Sequence, residues 1–250
     1  MVASARGRRR GRRSWKETFD VKGFATEVAK GLHQRLGLDY IGLTVEELAE
    51  ILEPVIGELV EARATKPKAE VIVAKLERGK QLLLKAIAAH LLSKEELTPE
   101  QVEFIVANAE ELAGRAAPKL YRQAERHGLD HVVEALRYLW ERYGNPLPVK
   151  CPRCGFSSLT PDLECIICGA RVSEEELKQS IGFREMLLEY ARTADKGILR
   201  EILAAGFVVL NGELKPPSLR PAGGYSIAIY LSRSEKEEIR RLLSEPKPPA

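Results

Sequence analysis

Residues 151–168 read CPRCGFSSLTPDLECIIC, and this stretch holds all 4 cysteines of the 250-residue chain. They form two C-x-x-C-G turns, Cys151 with Cys154 and Cys165 with Cys168, and each turn directs two thiolates at one point. A glycine after each second cysteine relieves backbone crowding. The spacing therefore predicts one tetrahedral Zn²⁺ site, which is structural because four cysteines fill every ligand position. A redox pair or disulfides are the alternatives.

The residues around these turns resemble a known class of metal-binding module. Residues 149–172 are similar to the CPxCG-type, four-cysteine zinc ribbons frequent in archaeal transcription and translation proteins. That resemblance implies a role in information processing. The composition is a separate indication of the source. Few Gln, Asn, Met and Cys beside abundant Glu, Arg and Lys are typical of proteins from thermophiles. We therefore expect a protein of a thermophilic archaeon.

The charges are segregated along the chain. The net charge is only +3, from 39 basic and 36 acidic residues. Residues 1–16 contain seven cations and no acid, so removing them leaves a net charge of −4 on the other 234 residues. The seven are Arg6, Arg8, Arg9, Arg10, Arg12, Arg13 and Lys16. We expect residues 1–18 to be a disordered arm that contacts nucleic-acid phosphates. A localising tail and a translation start assigned too far upstream are the alternatives.

Apolar periodicity predicts a bundle of about six helices over residues 19–145. Two helix starts are well marked, because Thr44 with Glu47 and Thr98 with Gln101 have the spacing of capping boxes. Pro54 lies inside the second predicted helix, so either that helix kinks or two shorter helices meet there. The third is predicted over 69–92, and the next from Thr98 to about residue 113.

A different organisation follows the turn-rich segment 144–150. We assign residues 146–172 to the zinc ribbon, 173–244 to a small α+β domain and 245–250 to a Pro-rich tail. In the α+β domain, Asn211-Gly212 predicts a tight hairpin between strands 207–210 and 213–215. A third strand is predicted over 225–231 and a closing helix over 232–243. The fold class is thus multi-domain and mainly α: an N-terminal helical bundle, a central zinc ribbon and a small C-terminal α+β domain.

Residues 183–231 weakly resemble the alpha-L RNA-binding motif of a small-subunit ribosomal protein and of pseudouridine synthases. The resemblance lies in the order of Gly206, Asn211, Gly212, Pro217, Ser218 and Gly224. In that motif the helix before the hairpin carries basic contacts. A winged helix and a plain α+β domain remain open alternatives. The candidate nucleic-acid contacts outside the arm are Arg153, Arg171, Arg192, Lys196, Arg200, Lys215 and Arg220. A helix over 183–205, with a possible break at 195–197, places Arg192, Lys196 and Arg200 on one face.

The sequence contains no motif that assembles a catalytic site. A Walker loop, a dinucleotide fingerprint, an H-E-x-x-H motif and a nucleophile elbow are all absent. His127 and His131 flank a helix break, so we assign them no metal role. No apolar stretch is long enough for a membrane span, and a signal peptide is lacking. We therefore expect a cytoplasmic protein without a membrane partner.

Three functions follow, in order of preference. The first is a non-enzymatic nucleic-acid-binding protein, for RNA or the ribosome rather than a specific DNA site, or associated with the transcription machinery. The second is a protein-interaction adaptor, or a subunit of a larger complex, that uses the acidic helical body. The third is a nucleic-acid-modifying enzyme with a structural zinc ion.

Overall fold

The computed structural model of the chain describes residues 15–220 and 224–244. The described part is mainly helical, with twelve α-helices and one small sheet. The chain divides between Ala109 and Glu110 into two compact units. This division falls inside the range 19–145 that the sequence assigns to one bundle. The domain boundaries as a whole stay a prediction.

The first unit contains five α-helices among its described residues. They are α1 Val21–Leu36, α2 Val45–Ala62, α3 Ala69–Arg78, α4 Lys80–Ser93 and α5 Pro99–Asn108. α1 packs along α2 and also contacts α3, while α4 packs on α5. The core between α1 and α2 includes Val28, Leu32 and Leu52, which are almost completely buried. Burial of these apolar faces stabilises helices that would be marginal alone.

Both predicted capping boxes of the first unit are present. The hydroxyl oxygen of Thr44 accepts from the backbone N–H of Glu47, whose side chain accepts from Thr44 N. Thr98 and Gln101 make the same pair of bonds at the start of α5. α2 runs through Pro54 without interruption, so the alternative of two separate helices is wrong.

Two predicted helices are each divided in the structure. The helix predicted over 69–92 ends at Arg78 and begins again at Lys80, with Gly79 between them outside helical geometry. The helix predicted from Thr98 to about 113 ends at Asn108, because Ala109 adopts φ −143° and ψ 56°. The apolar residues keep a helical spacing across both breaks. A break of one residue is therefore not visible in the apolar pattern.

The second unit contains seven α-helices and three strands among its described residues. They are α6 Glu110–Arg115, α7 Ala117–His127, α8 Asp130–Tyr143, α9 Glu174–Ser180, α10 Phe183–Thr193, α11 Lys196–Ala205, β1 Phe207–Leu210, β2 Glu213–Lys215, β3 Ile227–Ile229 and α12 Arg233–Ser244. The strand order is β2-β1-β3, and both pairings are antiparallel. The predicted hairpin is confirmed residue by residue, with Asn211 and Gly212 both at positive φ. The third strand is shorter than predicted.

The cysteine-bearing segment 146–172, called the ribbon below, lies between α8 and α9 in the chain and has little regular structure. Three isolated antiparallel bridges join Lys150 with Ser157, Leu159 with Cys165, and Glu164 with Arg171. Its core is nevertheless buried, since Phe156 and Leu159 are almost fully excluded from solvent. The ribbon therefore depends on its side chains, not on an extensive strand ladder, for its shape.

Candidate metal centre

The four cysteine sulfurs converge on one point. All four Sγ atoms lie within 4.8 Å of one another, and no other group of three or more candidate ligands converges in the described chain. The Sγ atoms of Cys151 and Cys168 are 4.0 Å apart, and those of Cys154 and Cys165 are 3.5 Å apart. A tetrahedron with metal–sulfur bonds of about 2.3 Å has edges of about 3.8 Å. The cluster thus has the dimensions needed to hold one metal ion.

The two cysteine turns have the same backbone geometry. In each, the N–H of the glycine donates to the carbonyl of the first cysteine at 2.9 Å, Gly155 to Cys151 and Gly169 to Cys165. Both glycines adopt positive φ, 77° and 70°. A side chain in this left-handed region would be strained, so each turn needs its glycine to bring two sulfurs together.

Polar donors surround the sulfur of Cys165. The backbone N–H of Cys168 donates to it at 3.4 Å, and the hydroxyl of Ser158 lies 3.0 Å from it. Ser158 is completely buried, and its hydroxyl also donates to the carbonyl oxygen of Phe156 at 3.1 Å. Hydrogen bonds of this kind orient a metal ligand and stabilise thiolate charge.

The thiols of the cluster differ widely in pKa. Hydrogen bonds from Cys154 and Ser158 lower the pKa of Cys165 to about 4. The same bond with Cys165, together with burial, raises the pKa of Cys154 well above its usual range. Burial raises the pKa of Cys168 to about 11. A metal ion bound by four thiolates must therefore displace protons from Cys154 and Cys168 at neutral pH.

Helices α7 and α8 hold one side of the ribbon. The Nε of Arg137 in α8 donates to the carbonyl of Cys154, and the indole Nε1 of Trp140 donates to that of Ser157, both at 2.9 Å. The Tyr121 ring of α7 packs edge-on against Phe156, with ring centroids 5.5 Å apart. The first cysteine turn is thus anchored to the helices that precede it.

The C-terminal elements hold another side. The hydroxyl of Tyr225 donates to the carbonyl oxygen of Leu159. Arg153 makes two hydrogen bonds, of 3.1 and 3.3 Å, to the carboxylate of Glu176 in α9. Glu176 also closes a capping box with Ser173 at the start of α9. The ribbon is therefore tied by side chains to elements on both sides of it in the chain.

The candidate nucleic-acid contacts fall into three groups. Three are paired with acids: Arg153 with Glu176, Lys215 with Glu213 at 2.6 Å, and Arg171 with Glu164 at 4.0 Å. Four are exposed and have no carboxylate partner among the described residues, namely Arg192, Lys196, Arg200 and Arg220. The arm residues Arg6, Arg8, Arg9, Arg10, Arg12 and Arg13 lie outside the described residues, whereas Lys16 donates to the carbonyl oxygen of Glu61.

The prediction that Arg192, Lys196 and Arg200 share one helix face is wrong. Arg192 lies in α10 and the other two lie in α11, because Ala194 is extended between the helices. Asp195 then caps α11, its side chain accepting from the N–H of Gly197 at 2.5 Å. Lys196 and Arg200 still lie one turn apart on the exposed side of α11.

Sequence reasoning missed several residues of this region. Ser158, Arg137 and Trp140 support the cysteine turns, yet their spacing in the sequence gives no signal of it. It also missed the exposed Arg122 and Arg126 of α7, whose spacing of four was visible in the sequence. A spacing of four places two side chains on one helix face, but it does not show whether that face is exposed.

A surface cleft of about 630 Å³ lies between α9, α10 and α12. Its most buried charged group is Lys178, whose Nζ lies 3.1 Å from Glu235 and 3.5 Å from Glu174. Lys178 also lies over the Phe183 ring, 5.1 Å from its centroid. These contacts neutralise the lysine within the fold.

Comparison with known proteins finds no match: no family model, no curated protein and no solved structure matches this chain. Within the residues that the structure describes, no helix has both the length and the apolar character required to cross a membrane.

Proposed function

We propose that the chain is a non-enzymatic nucleic-acid-binding protein in which one structural Zn²⁺ ion shapes a ribbon beside an RNA-binding surface. The observation that carries the proposal is the pair Lys196 and Arg200, exposed one turn apart on α11 without a carboxylate partner among the described residues. Single-stranded or ribosomal RNA is the preferred ligand, in line with the resemblance to zinc ribbons and to the alpha-L motif.

Zinc is the metal that suits this donor set. Four thiolates in a tetrahedral arrangement select zinc or iron–sulfur chemistry among the biological metals. The site is closed, since the four sulfurs fill a tetrahedron and leave no position for substrate or water. The bound ion would cross-link the two cysteine turns and fix the ribbon against α8. Its role is therefore architectural.

The pair Lys196 and Arg200 destabilises α11 but can bind a polyanion. Like charges one turn apart destabilise a helix by about 0.2–0.5 kcal/mol. RNA phosphates placed between the two side chains would remove that repulsion and release counterions. Arg220 lies close by, because the segment Pro217–Leu219 contacts α11 and Ser218 N donates to Glu201. Arg192 precedes α11 across the turn at Ala194.

The ribbon's own arginines are less available. Arg153 is held by Glu176 and Arg171 lies near Glu164, so an RNA phosphate would have to compete with a carboxylate for each. We therefore assign the ribbon to scaffolding, and the phosphate contacts to α11, Arg220 and the arm.

The test is a salt titration of RNA binding by fluorescence anisotropy, with the zinc-loaded full chain and a single-stranded RNA. The variant K196Q/R200Q should lower the slope of log K against log salt by about 1.4, because each phosphate contact on a single strand contributes about 0.7. The matched control R115Q/R233Q removes two arginines that are already paired within their helices, and should leave the slope unchanged. Binding that is absent or independent of salt would contradict the proposal.

A second candidate function is the protein-interaction adaptor, which one observation favours. α2 carries six glutamates and no basic residue, and Val55 is exposed among them. Such a face suits a basic partner. Capture of a partner that resists nuclease treatment and is lost in the variant E50Q/E58Q would favour the adaptor over RNA binding.

A further inference from the structure

A second pair of like charges lies on α7. Arg122 and Arg126 are exposed one turn apart, and neither has a carboxylate partner among the described residues. The C-terminal end of a helix favours a cation, which gives Arg126 a structural role in the last turn. Arg122 lies one turn earlier, where that effect has faded. The arrangement matches that of Lys196 and Arg200 on α11.

The nearby acids do not neutralise this pair. Glu125, the one acid of α7, is hydrogen-bonded to the hydroxyl of Tyr121, and burial with that bond raises the pKa of Tyr121. On α8, Asp130 and Glu134 are exposed and form no ion pair with either arginine in the described chain. The charge of Arg122 and Arg126 is therefore available to a ligand.

The ribbon connects α7 to the elements around α11. On one side, Tyr121 packs on Phe156, and the guanidinium of Arg137 lies over the same ring, 5.9 Å from its centroid. On another side, Tyr225 is bonded to the ribbon backbone and Glu176 to Arg153. A metal ion in the ribbon would stiffen this connection and hold the two cationic pairs at a constant separation.

We propose that Arg122 and Arg126 form a second contact for RNA phosphates, and that the metal-bound ribbon fixes its spacing from Lys196 and Arg200 so that one RNA strand bridges both pairs. This rests on the proposed function of the α11 surface. Once a strand is bound to one pair, its binding to the other pair is intramolecular. A strand long enough to reach both pairs therefore binds more tightly than a short one. A short strand engages one pair only.

The experiment uses oligouridylates of about 6 and about 30 nucleotides, with the zinc-loaded full chain. On the long RNA, R122Q/R126Q should weaken binding roughly 25-fold at 0.1 M salt and lower the salt slope by about 1.4, since each phosphate contact on a single strand contributes about 0.7 to the slope and about fivefold to the affinity there. On the short RNA its effect should stay below about threefold, because the α11 pair remains. The control R115Q/R233Q should resemble the native chain on both.

Each outcome decides between the two proposals. If the native chain binds and R122Q/R126Q equals the control on the long RNA, the bridging proposal is wrong while the α11 surface stands. If the native chain binds neither RNA, both proposals are wrong. The variant R122K/R126K guards against a folding defect, because it keeps both charges and should retain the native salt slope. Loss of that slope in R122K/R126K, with native zinc content, would also overturn the bridging proposal.

Discussion

The indole Nε1 of Trp140 donates to the carbonyl oxygen of Ser157 at 2.9 Å, and this bond joins α8 directly to the segment between the two cysteine turns. Trp140 is 4% exposed, so its N–H has no access to water as an alternative acceptor. The same oxygen accepts from Leu147 N at 2.7 Å. One ribbon carbonyl thus fixes both the end of α8 and the chain that leaves it.

Trp140→Phe should lower the free energy of unfolding by about 1–2 kcal/mol, because it removes the hydrogen bond and part of a buried ring. Denaturant unfolding followed by far-UV circular dichroism measures this. Tyr230→Phe is the control, since that ring is 63% exposed and its loss of a hydroxyl should change stability by less than about 0.5 kcal/mol. Equal midpoints for the two variants would show that the Trp140 bond contributes nothing.

Metal affinity should rise with pH. The raised pKa values of Cys154 and Cys168, the latter about 11, keep both thiols protonated at pH 7 in the metal-free chain, while Cys165, at about 4, is already ionised. Binding then releases at least two protons, so the logarithm of the affinity should increase by at least about 2 per pH unit between pH 6 and 8. Competition with a chromophoric chelator measures this, and an affinity independent of pH would refute the assignment.

Ser158→Ala should weaken metal binding about 10–100-fold without unfolding the second unit, because it removes the hydroxyl beside Cys165. Ser180→Ala is the matched control: its hydroxyl donates to the carbonyl of Leu177, away from the cysteines. Chelator competition on both variants gives the ratio. Identical affinities would mean that the Ser158 hydroxyl only satisfies the backbone at Phe156.

Two glycines should respond to alanine in opposite directions. Gly206 has a φ of 81°, and a Cβ there would collide with the carbonyl oxygen of Ile229, so Gly206→Ala should destabilise the second unit by at least about 2 kcal/mol. Gly57 lies within α2 with open space at its Cβ position, and Gly57→Ala should stabilise the chain by up to about 1 kcal/mol. Thermal unfolding of the two variants checks both signs. A neutral Gly206→Ala would contradict the strand geometry at β1.

The features that the sequence predicted correctly depend on near neighbours in the chain. The capping boxes at Thr44 and Thr98 each involve residues three apart, and the hairpin turn at Asn211 involves two adjacent residues. Local dihedral preferences and local hydrogen bonds suffice for these, so the spacing alone predicts them. The convergence of four sulfurs follows from two such local turns.

The features that it missed depend on partners far away in the chain. Glu176 lies 23 residues from the Arg153 that it pairs with, and Trp140 lies 17 residues from Ser157. The break at Ala109 falls in an alanine, the residue that most favours a helix, so propensity argues against it. Tertiary packing overrides propensity there, and spacing cannot reveal it.

The sequence by itself determined the set of four cysteines that can hold a metal ion, the segregation of charge and the boundaries of the local turns, because each of these depends on residues close together in the chain. Only the tertiary structure decided which cations remain available. It paired Arg153 with Glu176, 23 residues further along the chain, and left Lys196, Arg200 and the arginines of α7 exposed. Whether a charge is neutralised depends on which carboxylate lies within a few ångströms of it, and that distance is set by the packing of elements remote in the chain.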